Sequence, residues 1–182
     1  MGKAFQITDQ NALYFVTATI VDWVDVFTRP RYKDVIIDSL NYCIEKKGLE
    51  VYAYVIMTNH AHLIVRSNQG VLSQTLRDFK KFTSRSIAHL VKQEPESRRE
   101  WMLHRFRWNA GNYQDTTEHQ VWIHGNHPIS IMSKHFFIQK QNYIHMNPVK
   151  AGIVMFPEDY IYSSAFELSG RGNKLPVSVI EY

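Results

Sequence analysis

Two runs of β-branched and aromatic residues, separated by only two residues, constrain the fold of this chain more than any other feature. They are Leu49–Met57 (LEVYAYVIM) and His60–Arg66 (HAHLIVR), with Thr58 and Asn59 between them. Such runs favour strands, and two strands joined by so short a connection are antiparallel neighbours. The sequence therefore predicts a β-hairpin over these residues.

The segments around the hairpin alternate between strand and helix patterns. Apolar residues at helical spacing predict long amphipathic helices before and after the hairpin and a further helix near the end of the chain. The predicted elements are strands at Tyr14–Ile20 and Gln120–His124 and helices at Tyr32–Lys47, Val71–Lys92 and Ser133–Asn147, the last of which is expected to end near Pro148. The stretch Gln93–Glu118 has weak periodicity and is predicted to be a variable excursion.

Strand, helix, two strands, helix and strand is the order of a ferredoxin-like α+β domain, βαββαβ. In such a domain we expect an antiparallel sheet that carries its helices on one face and leaves the other face open. No internal repeat or Gly/Ser-rich linker interrupts the pattern. The sequence therefore predicts a single domain over residues 1–182.

The charge balance is mildly favourable for a polyanionic partner. The chain has 21 Lys and Arg against 17 Asp and Glu, a formal net charge of +4 and a pI near 9.1. No apolar run approaches the ~20 residues of a membrane span, and no secretory signal is expected at the start. The single cysteine, Cys43, cannot form an intrachain disulfide, and we expect it to be a core side chain in a reducing cytoplasm.

His60 and His62 stand two residues apart in the second strand of the predicted hairpin. Alternate side chains share one face of a strand, so both imidazoles are expected to project from the face without helices. Two neutral imidazoles placed in this way suit a divalent metal. The alternative is a pair of exposed or hydrogen-bonded strand histidines. Structural zinc is disfavoured because the chain has only one cysteine.

The last predicted helix offers a nucleophile and a third metal ligand. Tyr143 and Asn147 are four residues apart, and Lys140 is three residues before the tyrosine, so the three share one side of the helix. One amide oxygen and two imidazole nitrogens leave positions open for phosphate oxygens on Mg²⁺ or Mn²⁺. A phenol that is helped to lose its proton can attack phosphorus. The alternative for Tyr143 is an ordinary residue of an amphipathic helix.

These residues lie in motifs that together resemble a known family. The motifs are MTNHAHLIV around the two histidines, GNHP from Gly125 to Pro128, YIHMNPVKAG from Tyr143 to Gly152 and EDYIYSSA from Glu158 to Ala165. In this order they resemble the HUH transposases with one catalytic tyrosine, especially the REP-associated tyrosine transposase branch, over a core of about residues 14–165. The resemblance implies a ferredoxin-like fold and single-strand DNA cleavage that leaves a 5′-phosphotyrosine.

Carried onto this sequence, the resemblance implies Tyr143 as the nucleophile and His60, His62 and Asn147 as ligands of Mg²⁺ or Mn²⁺. The third ligand departs from the pattern, because insertion-sequence members often have Gln where this chain has the shorter Asn147. Weaker metal affinity is therefore expected. Insertion-sequence relatives act as dimers in which the tyrosine helix serves the partner's site, whereas the REP-associated branch can be monomeric. The resemblance leaves both states open, and we favour a homodimer.

Basic residues that could contact single-stranded or hairpin DNA fall in two groups. Arg77, Lys80, Lys81 and Arg85 lie on the long helix after the hairpin, and Arg98, Arg99, Arg105 and Arg107 accompany Trp101, Phe106 and Trp108 in the excursion. Lys140 is a further predicted DNA contact beside the tyrosine. A solvated helix face and a loop anchored by aromatic residues are equally compatible with the two groups.

Other polar residues near the motifs have no predicted catalytic role. His124, His127 and His145 are candidates for the neighbourhood of the site, but we do not predict them to be metal ligands. Tyr160 and Tyr162 are predicted to pack or cap a turn near the end of the chain.

The favoured function is a transposase, a DNA strand transferase and nickase that needs no nucleotide cofactor. One alternative is a domesticated hairpin-binding protein or regulator, although the presence of all four site residues argues against lost chemistry. The other is a metal-dependent phosphoesterase in which water attacks and Tyr143 is replaceable. Only the transposase leaves DNA covalently attached to the protein.

Overall fold

The hairpin predicted from the sequence supplies two strands of an antiparallel sheet. The computed structural model describes residues 6–111 and 118–180. In these residues β1 (Tyr14–Thr19), β2 (Leu49–Ile56), β3 (His60–Ser67) and the short β4 (Ile129–Ser130) form a four-stranded sheet in the order β2-β3-β1-β4. The molecule is therefore a mixed α/β structure in which the histidine-bearing strand lies between two long neighbours.

The register of the sheet decides which side chains surround the two histidines. Thr17 of β1 lies opposite His62, and Thr19 lies opposite His60. Directly opposed residues of antiparallel strands share a face, so alternate residues of β1 stand on the histidine face. On β2, the register shifts between Val51 and Ala53, which marks a β-bulge.

The helices follow the predicted pattern at the start of the chain and depart from it later. They are α1 (Pro30–Lys47), α2 (Leu72–Gln93), α3 (Arg99–Gly111), α4 (Lys134–Lys150) and the short α5 (Ser164–Leu168). Proline stands at the first position of α1, and Gly48, with φ 61°, ends that helix in the left-handed conformation. The predicted helices at Tyr32–Lys47 and Val71–Lys92 are confirmed.

The predicted fourth strand at Gln120–His124 is wrong, because β4 lies further along the chain. Trp122 makes only an isolated bridge with Ile20, although the Ile123 amide donates to the Thr19 carbonyl at 2.8 Å. Gly125, with φ 80°, and His127, with φ 41°, then turn the chain. The segment consequently runs beside β1 without forming a continuous ladder.

Two further predictions about helices need correction. The excursion Gln93–Glu118 contains α3, whose buried side chains Met102, Leu103 and Phe106 are hidden in the sequence among arginines and exposed tryptophans. The last helix begins as expected, with the Ser133 hydroxyl accepting from the Phe136 amide at 3.2 Å, but it passes through Pro148 to Lys150. A proline removes one helical hydrogen bond, and here it does so only in the final turn.

The face that carries the histidines is not free of helices, as the sequence pattern had suggested. α4 packs against β2 and β3 on this side, with Phe137 edge-on to Tyr52 at a centroid distance of 6.5 Å and Tyr143 beside His62. The alternate residues Ala61, Leu63 and Val65 belong to the same buried core as the side chains of α1 and α2. Both faces of β3 are therefore packed.

Two smaller expectations concern Cys43 and the membrane. Cys43 is buried in the core, and burial raises the pKa of its thiol to about 11. No helix in the described part of the chain has the length and apolar character needed to cross a membrane.

Candidate active site

The packing of α4 against β3 brings the predicted site residues together. The rings of His60 and His62 have centroids 4.8 Å apart, and the His62 and Tyr143 centroids are 5.2 Å apart. The Tyr143 hydroxyl oxygen lies 3.4 Å from Nε2 of His62 in the same chain. A helix residue and a strand residue 81 positions apart thus share one polar contact.

Asn59 holds His60 in one tautomer. Its Oδ1 lies 2.8 Å from Nδ1 of His60, while its Nδ2 donates to the Trp23 carbonyl at 3.3 Å and to Oδ1 of Asp25 at 3.0 Å. The two acceptors around the amide nitrogen assign its orientation, so Oδ1 must accept from the imidazole. Nδ1 of His60 therefore carries the proton, and Nε2 keeps a lone pair for a ligand.

His62 is held on both sides of its ring. Oγ1 of Thr17 lies 2.9 Å from Nδ1, and the ring of Phe15 stacks on the imidazole at a centroid distance of 5.3 Å. With the proton on Nδ1, His62 donates to Thr17 and turns the lone pair of Nε2 toward Tyr143. Metal-binding histidines are commonly oriented by such a hydrogen bond from the second ring nitrogen.

The surroundings keep both imidazoles neutral. Burial, together with the nearby His60 and Lys140, lowers the pKa of His62 to about 3. Burial also lowers the pKa of His60, although a hydrogen bond with the Asn147 side chain acts in the opposite direction. Neutral imidazole is the form that binds metals, so neither ring has to lose a proton near neutral pH before it can act as a ligand.

Asn147 completes the predicted ligand set. It is half-buried on α4, one turn beyond Tyr143, and its side chain interacts with His60. Within the described residues, no group of three or more His, Cys, Asp or Glu side chains could hold a metal. A divalent ion here would thus depend on two imidazole nitrogens, the Asn147 amide and oxygen atoms from a substrate. This set fits Mg²⁺ or Mn²⁺ in an open site better than structural zinc.

Lys140 places a positive charge beside the phenol. Its Nζ lies 4.8 Å from the ring centroid of Phe15, 5.2 Å from that of Phe136 and 5.9 Å from that of Tyr143. The aromatic faces attract the ammonium group and position it. Since Tyr143 is 42% exposed, an anionic ligand can approach the phenol and the lysine together.

Sequence reasoning missed four residues of this site. Phe15 and Thr17 contact His62, while Asn59 and Trp23 lie against His60, with 6.3 Å between the Trp23 and His60 ring centroids. Phe15 and Thr17 could not be found because strand register is not encoded locally. Asn59 offered a signal, because it directly precedes His60 and short polar side chains commonly bond to neighbouring groups.

The basic residues predicted on α2 divide into exposed and internal groups. Arg77, Lys81 and Arg85 are exposed and line a groove between α2 and residues 118–126. Lys80 instead donates to the carbonyls of Ile123 and Gly125, both at 2.6 Å. Burial lowers the pKa of Lys80 to about 8. Lys80 therefore anchors the chain beside β1 while it also lines this groove, and its contact with phosphate stays a prediction.

The arginines around α3 divide in the same way. Arg98 pairs with buried Glu96 at 3.2 Å, and Arg99 donates to the carbonyls of Val91 and Glu94, so both have internal partners. Arg105 lies 3.7 Å from Asp22, while Arg107 is exposed. Of the accompanying aromatic residues, Phe106 is part of the core, whereas Trp101 and Trp108 are exposed.

The remaining polar residues of the motifs have structural contacts. His145 lies 2.8 Å from the Ser164 hydroxyl, and burial lowers its pKa to about 4. Tyr160 donates to the Ile56 carbonyl at 2.7 Å, and Tyr162 donates to Asp34 at 2.9 Å. The packing role predicted for the two tyrosines is confirmed.

Comparison with known sequences identifies one family. The sequence model described as "Transposase IS200 like" matches residues 13–124, which include β1, the hairpin and α2. No curated protein matches the sequence.

Comparison with solved structures gives a fold likeness. A REP-associated tyrosine transposase bound to a REP hairpin superposes with a TM-score of 0.64 and 15% identity, covering 100% of this chain and 94% of that chain. A candidate transposase from Deinococcus radiodurans superposes with a TM-score of 0.45 and 18% identity, covering 79% of this chain and 94% of that chain. At 15% identity, the likeness to the first structure shows a shared fold. The TM-score of the second structure is too low to support any inference.

Proposed function

Because the chain belongs to the IS200-like transposase family, we propose that it cleaves and rejoins single-stranded DNA through a covalent link to Tyr143. The observation that carries this proposal is the distance of 3.4 Å between the Tyr143 hydroxyl and Nε2 of His62. A nucleophile for phosphoryl transfer has to lie beside the groups that bind the phosphate. The proposed fold assignment is the ferredoxin-like arrangement with the catalytic tyrosine on α4.

The proposed metal ligands are His60, His62 and Asn147, with Mg²⁺ or Mn²⁺ as the ion. When bound, such an ion polarises the scissile phosphate and stabilises negative charge on its oxygens. With the proton of each ring on Nδ1, Asn59 and Thr17 orient the two imidazoles so that the Nε2 lone pairs point into the site. Because the Asn147 side chain is shorter than that of Gln, we expect the metal ion to bind more weakly here than at a site with Gln.

The proposed covalent step exchanges one phosphate ester for another. The phenolic oxygen of Tyr143 forms a bond to phosphorus, and the bond between phosphorus and the 3′ oxygen breaks. The phenolic proton passes to solvent, and the departing 3′ oxygen takes up a proton to become a hydroxyl. The 5′-phosphotyrosine retains the energy of the ester, so attack by another 3′ hydroxyl rejoins DNA without a nucleotide cofactor.

We propose that DNA binds to basic side chains that, unlike Lys80, do not anchor another segment of the chain. Arg77, Lys81 and Arg85 would neutralise phosphates along α2, and Lys140 would contact a phosphate near the phenol. The solved relative with the TM-score of 0.64 is bound to a REP hairpin. We extend that partner to this chain as single-stranded DNA that contains a hairpin.

The contact within one chain also bears on assembly. Tyr143 reaches His62 of its own chain, so each copy would contain a complete site. The homodimer expected from the sequence is therefore not required for the proposed chemistry. Sedimentation of the active protein with and without DNA would measure the assembly state.

The proposed function is tested by looking for a covalent adduct between the protein and a labelled DNA strand. Single-stranded DNA that contains a hairpin is incubated with protein and Mn²⁺, then denatured in SDS. A 3′ label should migrate with the protein, whereas a 5′ label should appear on a free fragment that ends in a 3′ hydroxyl. Tyr143→Phe should abolish the adduct, and Tyr42→Phe, at a tyrosine 57% exposed on α1, should retain it.

The alternatives give different products in the same experiment. An adduct that persists in Tyr143→Phe would reject the nucleophile. Cleavage without an adduct, unchanged in Tyr143→Phe, would indicate attack by water. Hairpin binding without any cleavage would indicate a domesticated DNA-binding protein.

A further inference from the structure

We infer that Trp23 is a stacking platform for an unpaired nucleobase next to the phosphate processed at Tyr143. This inference rests on the proposed function. Trp23 is 62% exposed, although indole is among the side chains with the most apolar surface to bury. Its ring lies edge to face with His60, with 6.3 Å between centroids and an interplanar angle of 70°. An exposed aromatic face therefore borders the proposed metal site.

The backbone at Trp23 has an uncommon conformation. Asp22 has φ 52° and Trp23 has φ 55°, in the left-handed region that residues with a Cβ rarely adopt. The Asp22 carboxylate accepts from Nδ2 of Asn109 at 3.0 Å and lies 3.7 Å from the Arg105 guanidinium. The Trp23 amide donates to the Ile20 carbonyl at 3.1 Å. The turn is thus tied to Ile20, directly after β1, and to α3.

One side chain connects this turn to the proposed metal ligand. Nδ2 of Asn59 donates to the Trp23 carbonyl at 3.3 Å, and Oδ1 of the same amide accepts from His60. The backbone that carries the indole and the imidazole of His60 are therefore joined through one amide side chain. A phosphate bound at His60 would bring its attached nucleoside close to the exposed indole face.

The chemistry of the platform indicates what it can recognise. Indole offers one N–H donor and a large π-face, and every nucleobase has a π-face that can stack on it. Stacking of this kind tolerates all four bases but requires that the base be unpaired. Trp23 would therefore select single-stranded over duplex DNA beside the cut, while sequence preference would come from other contacts.

The experiment measures binding without chemistry. Every variant carries Tyr143→Phe, EDTA removes metal, and anisotropy reports binding of fluorescein-labelled oligothymidine or of an equally long strand of abasic tetrahydrofuran units. Trp23→Ala should weaken oligothymidine binding by about tenfold and leave abasic binding unchanged, since stacking on one base has a value of that order. Trp23→Phe should retain most of the affinity, and Tyr42→Ala, at another exposed aromatic residue, should retain all of it.

Two further measurements keep the inference open to refutation. Trp23→Leu keeps an apolar side chain without a π-face, so it should lose affinity like Trp23→Ala even if the alanine variant is poorly folded. The slope of log Kd against log salt should stay unchanged, because no phosphate contact is lost. The ratio of the affinity for oligothymidine to that for the abasic strand should fall in Trp23→Leu. If this ratio were the same as in the protein with Trp23, the inference would be overturned. That result would leave the adduct at Tyr143 untouched, whereas absence of the adduct together with an intact effect of Trp23 on binding would reject the proposed function and leave Trp23 as a base-stacking residue only.

Discussion

The histidine face of the sheet and the exposed side of α2 represent two different uses of polar residues. Around His62, each polar atom has an assigned neighbour: Thr17 on one ring nitrogen and Tyr143 on the other. Along α2, Arg77, Lys81 and Arg85 are exposed to solvent in an open groove. The histidine face depends on a few atoms at defined distances, whereas the exposed side of α2 offers positive charge distributed over several side chains.

The two regions should therefore respond differently to substitution. Loss of one ligand or nucleophile removes a whole step, because no neighbouring group can replace it. Loss of one of several phosphate-neutralising charges removes only a fraction of the binding free energy. Chemistry and DNA affinity should therefore be separable by mutation.

Among the residues around the nucleophile, the largest expected effect is at His62. His62→Ala should lower metal-stimulated cleavage by about a thousandfold, because the ligand that also contacts Tyr143 is lost. DNA binding in EDTA should change little and should remain sensitive to salt. Single-turnover cleavage and anisotropy on the same labelled strand measure both. Unchanged cleavage would remove His62 from the proposed site.

The next effect concerns the residue that orients His62. Thr17→Val removes the hydroxyl 2.9 Å from Nδ1 and should weaken Mn²⁺ binding by about tenfold to a hundredfold. Thr17→Ser keeps the hydroxyl and should restore most of the affinity. The readout is the rise in melting temperature with Mn²⁺, because a ligand that binds only the folded state stabilises it. Equal Mn²⁺ responses in the valine and serine variants would contradict an orienting role.

A smaller effect is expected on the exposed side of α2. Lys81→Met should weaken DNA binding a few-fold and reduce the slope of log Kd against log salt by about 0.7, the value for one phosphate contact on a single strand. Cleavage at saturating DNA should remain unchanged. An unchanged salt slope would show that the groove is not part of the DNA path.

The smallest effect is the pH dependence produced by Lys80. Its pKa is about 8 in the folded protein, compared with 10.5 for an unperturbed lysine. Between these values the unfolded chain binds a proton that the folded protein has released, so raising the pH increases the free energy of unfolding. Lys80→Met should lack this increase while keeping the salt slope of DNA binding. Urea unfolding from pH 8 to pH 10.5 tests the difference, and parallel curves for both proteins would refute it.

Local patterns in the sequence were sufficient for several parts of the site. Strand alternation placed His60 and His62 on one face, and helical spacing placed Asn147 one turn beyond Tyr143. The same kind of reasoning failed for β4 and for α3. In both cases the deciding contacts come from distant segments, such as the Ile20 bridge with Trp122 and the packing of α3 against neighbouring elements.

Lys80 and Lys81 show most clearly what local sequence patterns cannot predict. They are adjacent lysines on one helix, and nothing in the local sequence distinguishes them. Only the fold shows that one of them donates to the carbonyls of Ile123 and Gly125 while the other faces solvent. A helix turns about 100° per residue, so neighbouring side chains can belong to different regions.

Local sequence is enough to specify the residue types available for chemistry and the faces on which short-range periodicity places them. It also determined the hairpin and the first two long helices, because their signals lie within one segment. The tertiary structure decided that α4 crosses the histidine face and that its phenol meets His62. That meeting depends on long-range packing and strand register, which are properties of the whole fold and not of either motif alone.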